Sequence, residues 1–149
     1  DVLAHSGAPR GSAYHYFPGG RGQLLCEAVD YAADFVADAI SGAESAVAML
    51  DTAAAFYRKG LLDSDYRAGC PVLAVAVEAG HPDERTATDL ITARLVADGG
   101  APDRAAELAT LVIAALEGAL VLARVARDVA PLDGVHRQLR SLLQTEGKN

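Results

Sequence analysis

Apolar residues recur along this chain at helical spacing, and glycine and proline residues separate the stretches in which they do so. Between Arg21 and about Ile40 an apolar side chain returns every three or four residues, which is the stripe of a long amphipathic helix. The other predicted helices cover residues 1–6, 9–17, about 46–59, 82–98 and 102–129, and the chain from Pro131 onwards. The pattern therefore predicts an all-α protein.

One segment, CPVLAVAVEAG at 70–80, fits two structures, because a short run rich in valine suits a buried strand or a buried helix. Pro71 suits the first position of a helix, and helices are predicted on both sides. We therefore favour a short buried helix. Residues 60–69, just before it, are predicted to form a loop with one helical turn.

The composition supports a helical core, since 51% of the 149 residues are hydrophobic. The most apolar segment, 105–126, carries Glu107, Glu117 and Arg124. It suits a buried interface better than lipid, and we expect no membrane partner. Cys26 and Cys70 are too few for a disulfide framework, so we expect reduced thiols in a cytoplasmic protein.

Charge is divided unevenly between the two ends of the chain, whose net charge is −7. Residues 1–24 hold Arg10 and Arg21 against Asp1, a balance of +1, so residues 25–149 carry −8. We therefore expect two domains, a neutral to basic N-terminal segment at 1–24 and an acidic helical body at 25–149. Any contact with nucleic acid must come from the first segment alone.

The two C-terminal helices carry apolar surface that a second subunit would cover. The helix that begins at Pro102 has small residues on its central face, and the final helix repeats apolar residues in steps of three and four. The residues predicted at this interface are Leu111, Ala115, Gly118, Leu122, Leu132, Val135, Leu139 and Leu142. A homodimeric four-helix bundle would use both helices, and a purely intramolecular core is the alternative.

The stretch SGAPRGSAYHYFPGGRGQLL, residues 6–25, concentrates aromatic residues in a chain that is only 5% aromatic. Two short helices joined at Gly7 make a helix-turn-helix, whose second helix enters the major groove of DNA. Gly11 and Ser12 would let the backbone approach base edges, and Arg10 can donate to guanine. Groups for phosphates or thymine methyls come from Tyr14, His15 and Tyr16. The alternative is an aromatic mini-core at a helix corner.

The same stretch resembles the helix-turn-helix signature of the TetR/AcrR transcriptional regulators, A-x-x-x-G-V-S-x-G-x-L-Y-x-Y-F-x-x-K-x-x-L. The resemblance covers Gly7 of the turn, Gly11 at the start of the second helix, and the cluster Tyr14-His15-Tyr16-Phe17. It continues through Arg21 and Leu24. Several matched positions at fixed spacing make this signal far more specific than a lone glycine motif.

The remainder of the chain resembles the LmrA/YxaF-like branch of that family. Segments 66–80 and 114–135 are similar to its ligand-binding and dimerisation domain. The resemblance implies that the family's first helix and most of its second precede Asp1. The chain departs from the signature at Ala13, where leucine is usual, and at Gly22, which weakens the next helix by about 1 kcal/mol.

The resemblance implies a ligand-responsive repressor that binds double-stranded operator DNA as a homodimer and is released by a small apolar effector. Its base-facing positions fall on Arg10, Gly11, Ser12 and Tyr14, and its backbone-facing positions fall on His15, Tyr16 and Arg21. The candidates for the effector pocket are Phe35, Met49, Phe56, Tyr57, Tyr66 and Val75, with Glu117 as a polar contact. The alternative interpretation of each pocket candidate is that it packs in the core and contacts no effector.

The chain contains no Gly-x-Ser-x-Gly elbow, no phosphate loop and no His-Glu-x-x-His motif. We therefore expect neither an enzyme nor a bound cofactor or metal. Two other interpretations stay open. One is a redox- or metal-responsive regulator on the same scaffold, which would use Cys26 or Cys70. The other is a helical small-molecule-binding protein without DNA binding.

Overall fold

The computed structural model describes residues 2–70, 73 and 85–146. In chain order the helices are α1 (Val2–Ser6), α2 (Arg10–Tyr16), α3 (Gly20–Ser41), α4 (Ala46–Asp63), α5 (Arg85–Ala97), α6 (Pro102–Ala126) and α7 (Ala130–Glu146). These ranges contain no strand, and the predicted all-α class is confirmed. The helix predicted at 71–80 lies outside the described residues, apart from Leu73.

Two helix ends differ from the sequence-based prediction. Helix α4 runs past Gly60 to Asp63, because Leu61 is completely buried in the core and holds one more helical turn in place. Helix α6 ends at Ala126 rather than near Val129. There Arg127 adopts a left-handed conformation with φ of 52°, and the Asp128 amide donates to the Ala123 carbonyl at 3.1 Å. Glycine is usual at this kind of helix end, so the sequence contains no stop signal at Arg127.

Helix α6 is the centre of the core, and it packs against α4, α5 and α7. Its inner face is fully buried and consists of Ala105, Leu108, Ala109, Val112, Leu116, Ala119, Leu120 and Ala123. By length and composition alone α6 is apolar enough to cross a membrane, a property that the core helix of a soluble bundle shares. In this fold its inner face is covered by other helices of the same chain.

Ion pairs fix α7 along α4. His136 Nε2 lies 2.6 Å from Asp51 Oδ1, and Arg140 Nε lies 3.2 Å from both carboxylate oxygens of Asp51. Burial opposes ionisation of Asp51, but the hydrogen bonds from His136 and Arg140 lower its pKa overall. Arg58 and Asp133 form a further pair at 3.3 Å between the same helices.

The order of the helices places the two ends of the body relative to the N-terminal segment. Residues 42–45 join α3 to α4, and so short a connection between packed helices makes them antiparallel. The end of α4 at Asp63 therefore lies far from the corner that joins α3 to α4. The Arg127–Asp65 ion pair, at 2.6 Å, ties the end of α6 to the end of α4, which is the end of the body opposite the α3–α4 corner.

We expect Leu61→Ala to lower the free energy of unfolding by about 2–5 kcal/mol, because it leaves a cavity at a fully buried position of α4. The adjacent Leu62→Ala is the matched control, since Leu62 is 46% exposed and its truncation should cost less than about 1 kcal/mol. Urea unfolding followed by circular dichroism measures both values. Equal losses in the two variants would contradict this assignment of the core.

Candidate nucleic-acid interface and effector site

The N-terminal segment forms two short helices with a tight turn between them. Helix α1 ends at Ser6, and Gly7 follows with φ of +66°, a conformation that favours glycine. Pro9 is extended and caps α2, whose first turn closes when the Ser12 amide donates to the Pro9 carbonyl at 2.9 Å. The turn thus combines glycine, which tolerates a positive φ, with proline, whose ring fixes φ.

Helix α2 presents one polar and aromatic face to solvent. Tyr14 is 79% exposed and Tyr16 is 71% exposed, while Ala13 and Phe17 on the other side are half-buried. The His15 ring packs edge-on against the Tyr16 ring with centroids 5.3 Å apart. The structure therefore turns Tyr14 and Tyr16 outward and Ala13 and Phe17 inward.

The predicted DNA-contact residues lie together on α2 and on the first turn of α3. Of these, Gly11, Tyr14, His15, Tyr16 and Arg21 are exposed, and Ser12 is half-buried. A Cβ added at Gly11 would meet no atom within 4 Å, so the backbone is open on this side. Arg10 begins α2, but its side chain lies outside what the structure describes.

Hydrogen bonds to residues on both sides hold the start of α3 in place. Gly20 has φ of +71°, and its amide donates to the Phe17 carbonyl at 2.8 Å. The Gln23 side chain accepts from the Gly19 amide at 2.7 Å and donates to Glu27 at the same distance. These bonds fix the angle between α2 and the long helix that leads into the body.

Inside the body, three polar side chains from separate elements meet; we call them the interior polar cluster. They are Tyr57 of α4, Cys70 after α4, and Glu117 of α6. The Tyr57 hydroxyl donates to Cys70 Sγ at 3.7 Å, and the Glu117 carboxyl interacts with the Cys70 thiol. Burial raises the pKa of all three groups, so each is held in its neutral form more strongly than in water.

The other pocket candidates are spread around this cluster. Phe56 is 40% exposed and packs edge-on against Tyr57, with ring centroids 5.5 Å apart. Met49 is buried, and Tyr66 packs against the core beneath the Arg127 guanidinium. Phe35 lies in α3, but its side chain and the whole of Val75 lie outside what the structure describes. The structure therefore connects Tyr57 and Glu117 through Cys70, which the sequence suggested only as a reduced thiol or a sensor.

The predicted interface residues divide by exposure into three sets, which are exposed, half-buried and buried. Leu111, Gly118 and Leu122 are exposed on α6, whereas Ala115, Val135 and Leu142 are half-buried against the core. Leu132 and Leu139 are 1% and 5% exposed because they face the subunit's own core. Two residues that we had not predicted, Val121 and Val125, extend the exposed set at 51% and 80%. The continued helical spacing after Leu111 was the signal for them.

The exposed apolar residues of α6 form one surface, which we call the α6 outer face. It consists of Leu111, Gly118, Val121, Leu122 and Val125. Their spacing of three, four and seven residues places them on one side of the helix, opposite the buried side. Exposed leucine and valine side chains at such spacing are typical of a helix that packs against another chain.

The described part of the chain contains no group of three or more His, Cys, Asp or Glu residues able to hold a metal ion. Within these ranges, the arrangement is that of a helix-turn-helix joined by a long helix to a bundle with an interior polar cluster. Such an arrangement defines the class of helix-turn-helix regulators that carry a separate helical domain.

Comparison with known proteins agrees with this class. Residues 46–138 match the family described as "Transcriptional regulator LmrA/YxaF-like, C-terminal domain". A helix-turn-helix transcriptional regulator of Mycobacterium tuberculosis is 56% identical over 161 aligned positions, which cover 98% of this chain and 83% of the relative. Two Bacillus subtilis regulators, YxaF and LmrA, are 29% and 28% identical and are covered over 84% of their lengths.

The chain belongs to the LmrA/YxaF-like branch of the TetR family of transcriptional regulators. The alignments cover 96–98% of this chain, so they include the helix-turn-helix as well as the body. The resemblance predicted from the sequence is confirmed, and DNA is the partner that the relatives' names imply.

The raised pKa of Glu117 predicts a pH-dependent effect of Glu117→Gln. Because the pKa is raised on folding, the protonated form of Glu117 stabilises the folded state. This contribution to stability is fully present at a pH below the pKa of Glu117 in the unfolded chain, and it is lost as the pH rises through the pKa of Glu117 in the folded protein. Glutamine does not titrate. We therefore expect the free energy of unfolding of the variant to rise relative to wild type between about pH 4 and about pH 8.

Urea unfolding at both pH values measures this difference. Glu107→Gln is the matched control on the same helix, because the Glu107 side chain is 73% exposed. A Glu117→Gln effect that is the same at both pH values would contradict burial as the cause.

Proposed function

We propose that this protein is a repressor that binds operator DNA as a homodimer and is released by a small apolar effector. The observation that carries the proposal is the outward pair Tyr14 and Tyr16 on a helix that follows a glycine turn. The family supports a DNA-binding regulator, and repression, dimerisation and effector response are the parts that we add. We propose no enzymatic activity.

For DNA, we propose that α2 lies in the major groove with Arg10, Gly11, Ser12 and Tyr14 towards the bases. His15, Tyr16 and Arg21 then approach the phosphates. The body carries a strongly acidic balance, which would be repelled by DNA, so α2 and the start of α3 are the surface that charge allows. Affinity should fall steeply with salt, as phosphate contacts require.

For the dimer, we propose that the α6 outer face packs against the same face of a second subunit. Gly118 lies among larger apolar residues, and a Cβ added there would meet nothing in this chain, so a partner helix can approach closely. Val135 and Leu142 of α7 are half-buried against the subunit core, and we propose that their exposed parts complete a four-helix arrangement. Leu132 and Leu139 then serve the subunit core.

For the effector, we propose a site that includes the interior polar cluster. Tyr57 and Glu117 lie between α4 and α6, and Cys70 begins the connection to the next segment. An effector that separates these helices changes the packing of α3, which carries the DNA-binding segment. The favoured state would then hold the two recognition helices at a spacing that DNA does not match.

A redox-responsive regulator is the second candidate, and the interior polar cluster argues against it. A reactive cysteine needs its thiolate form. Burial, together with the nearby Glu117 carboxyl, raises the pKa of Cys70 and so disfavours that form. We therefore propose that Cys70 acts as a hydrogen-bonding partner in the effector site.

We expect Tyr16→Phe to weaken DNA binding by about three- to tenfold, the equivalent of one lost hydrogen bond to a phosphate. The hydroxyl is solvent-exposed, so the fold should be unchanged. The measurement is fluorescence anisotropy of the full-length protein with a duplex that the wild type selects from a random library. Tyr31→Phe is the control, since Tyr31 is 75% exposed on α3. Equal affinities for wild type and Tyr16→Phe would remove Tyr16 from the interface.

Leu122→Glu should convert the dimer into a monomer, because it places a charge in the middle of an apolar interface. Leu62→Glu is the matched control, since Leu62 is also exposed but lies on α4. Light scattering after size-exclusion chromatography gives the mass of each variant. A wild type that is monomeric at every concentration, or a Leu122→Glu variant that is still dimeric, would contradict the proposed interface.

A further inference from the structure

A cavity lies at the end of the body that faces away from the DNA-binding segment. Its volume is about 320 Å³, within the range of small-molecule sites. The first turn of α4, the end of α5 with the turn after it, the first turns of α6 and the last turn of α7 enclose it. Since α4 begins where α3 ends, this cavity is separate from the interior polar cluster, whose Tyr57 lies three helical turns further along α4.

The cavity combines an apolar floor with a charged rim. Val47, Leu95, Leu108 and Leu143 form most of the floor. The charged side chains on its wall are Asp98, Arg104 and Glu146, two acids and one base. A ligand that fits must therefore have a hydrocarbon part, and its polar group must suit a rim that is more acidic than basic.

The hydrogen bonds of the rim show which carboxylate can accept a new partner. Asp98 is already engaged, since its Oδ2 accepts from the Ala46 amide at 2.7 Å and its Oδ1 accepts from Arg94 Nε at 2.9 Å. These bonds cap the start of α4 and hold Asp98 in place. Asp98 is therefore a structural part of the wall.

Glu146 can be released more easily, because its cationic partner Arg104 also contacts a second carboxylate, that of Glu107. Arg104 Nη2 lies 2.8 Å from Glu146 Oε1, and Arg104 Nη1 lies 3.3 Å from Glu107 Oε2. If Glu146 turns to a ligand cation, Arg104 keeps Glu107. A ligand anion would instead have to displace Glu146 from Arg104 while it stays beside Asp98, and like charges repel.

We propose that this cavity binds a small lipophilic primary amine. Its ammonium group donates to the Glu146 carboxylate, and its hydrocarbon part lies against Leu95, Leu108 and Leu143. The binding does not depend on the repressor function proposed above, because it involves neither DNA nor the interior polar cluster.

Three probes of the same size and shape test the charge preference, 4-phenylbutylamine, 4-phenylbutanol and 4-phenylbutyrate. Isothermal titration calorimetry of the full-length protein, without DNA, measures the affinity of each. We expect one amine per chain, bound about tenfold more tightly than the alcohol, with the carboxylate weakest. Equal binding of amine and carboxylate, or no binding of the amine, would overturn the proposal.

Two pairs of variants locate the site. Val47→Phe fills the cavity and should abolish amine binding, whereas Val96→Phe, at an exposed position of α5 outside the lining, should not. Glu146→Gln should reduce the amine's affinity to that of the alcohol. Glu107→Gln is its control, because Glu107 also pairs with Arg104 but does not line the cavity.

A third variant separates this site from the proposed effector site. Glu117→Gln should leave amine binding unchanged, since Glu117 belongs to the interior polar cluster. Amine binding that is lost in Glu117→Gln and kept in Glu146→Gln would place the amine in the interior polar cluster and overturn the proposal. Circular dichroism confirms that each variant is folded before it is titrated.

Discussion

The structure depends on one helix, α6, that is apolar on two sides. Its inner face, with Leu108, Val112, Leu116 and Leu120, is buried by the other helices of the chain, and each fully buried leucine contributes about 1.5–3 kcal/mol. Its outer face carries leucine and valine side chains that the chain itself leaves exposed. In the proposed dimer a second subunit would cover the outer face as α5 and α7 cover the inner one, so the fold and the proposed dimer would have the same origin.

The functional elements are arranged around this helix. Glu117 lies on the side of α6 that meets Tyr57 and Cys70, and burial raises the pKa of all three groups. At the end of the body opposite the α3–α4 corner, the Arg127–Asp65 pair ties the ends of α6 and α4 together. At the other end, Asp98 caps α4 close to the corner with α3. In the proposed mechanism a change in helix packing around α6 would reach α3 through α4 and α5, which contact both helices.

The sequence was sufficient for features that depend on local rules. The helical stripe over 21–40 and the turn at Gly7 were predicted because periodicity and glycine conformation act within a few residues. The end of α6 was missed because Arg127 stands where glycine is usual, and the partner of Glu117 was missed because Cys70 is distant in sequence. Leu132 and Leu139 share a spacing with Val135, and only packing shows which of them faces the core.

The central claim is that the α6 outer face meets its own copy, and a photo-crosslink tests it directly. Benzoylphenylalanine in place of Leu122 reacts only with groups in contact with it. The account predicts a covalent product of twice the 15.4 kDa chain mass, with the crosslinked peptide of the partner lying within 111–125. The absence of a dimeric product, or a crosslink to another part of the surface, would contradict it.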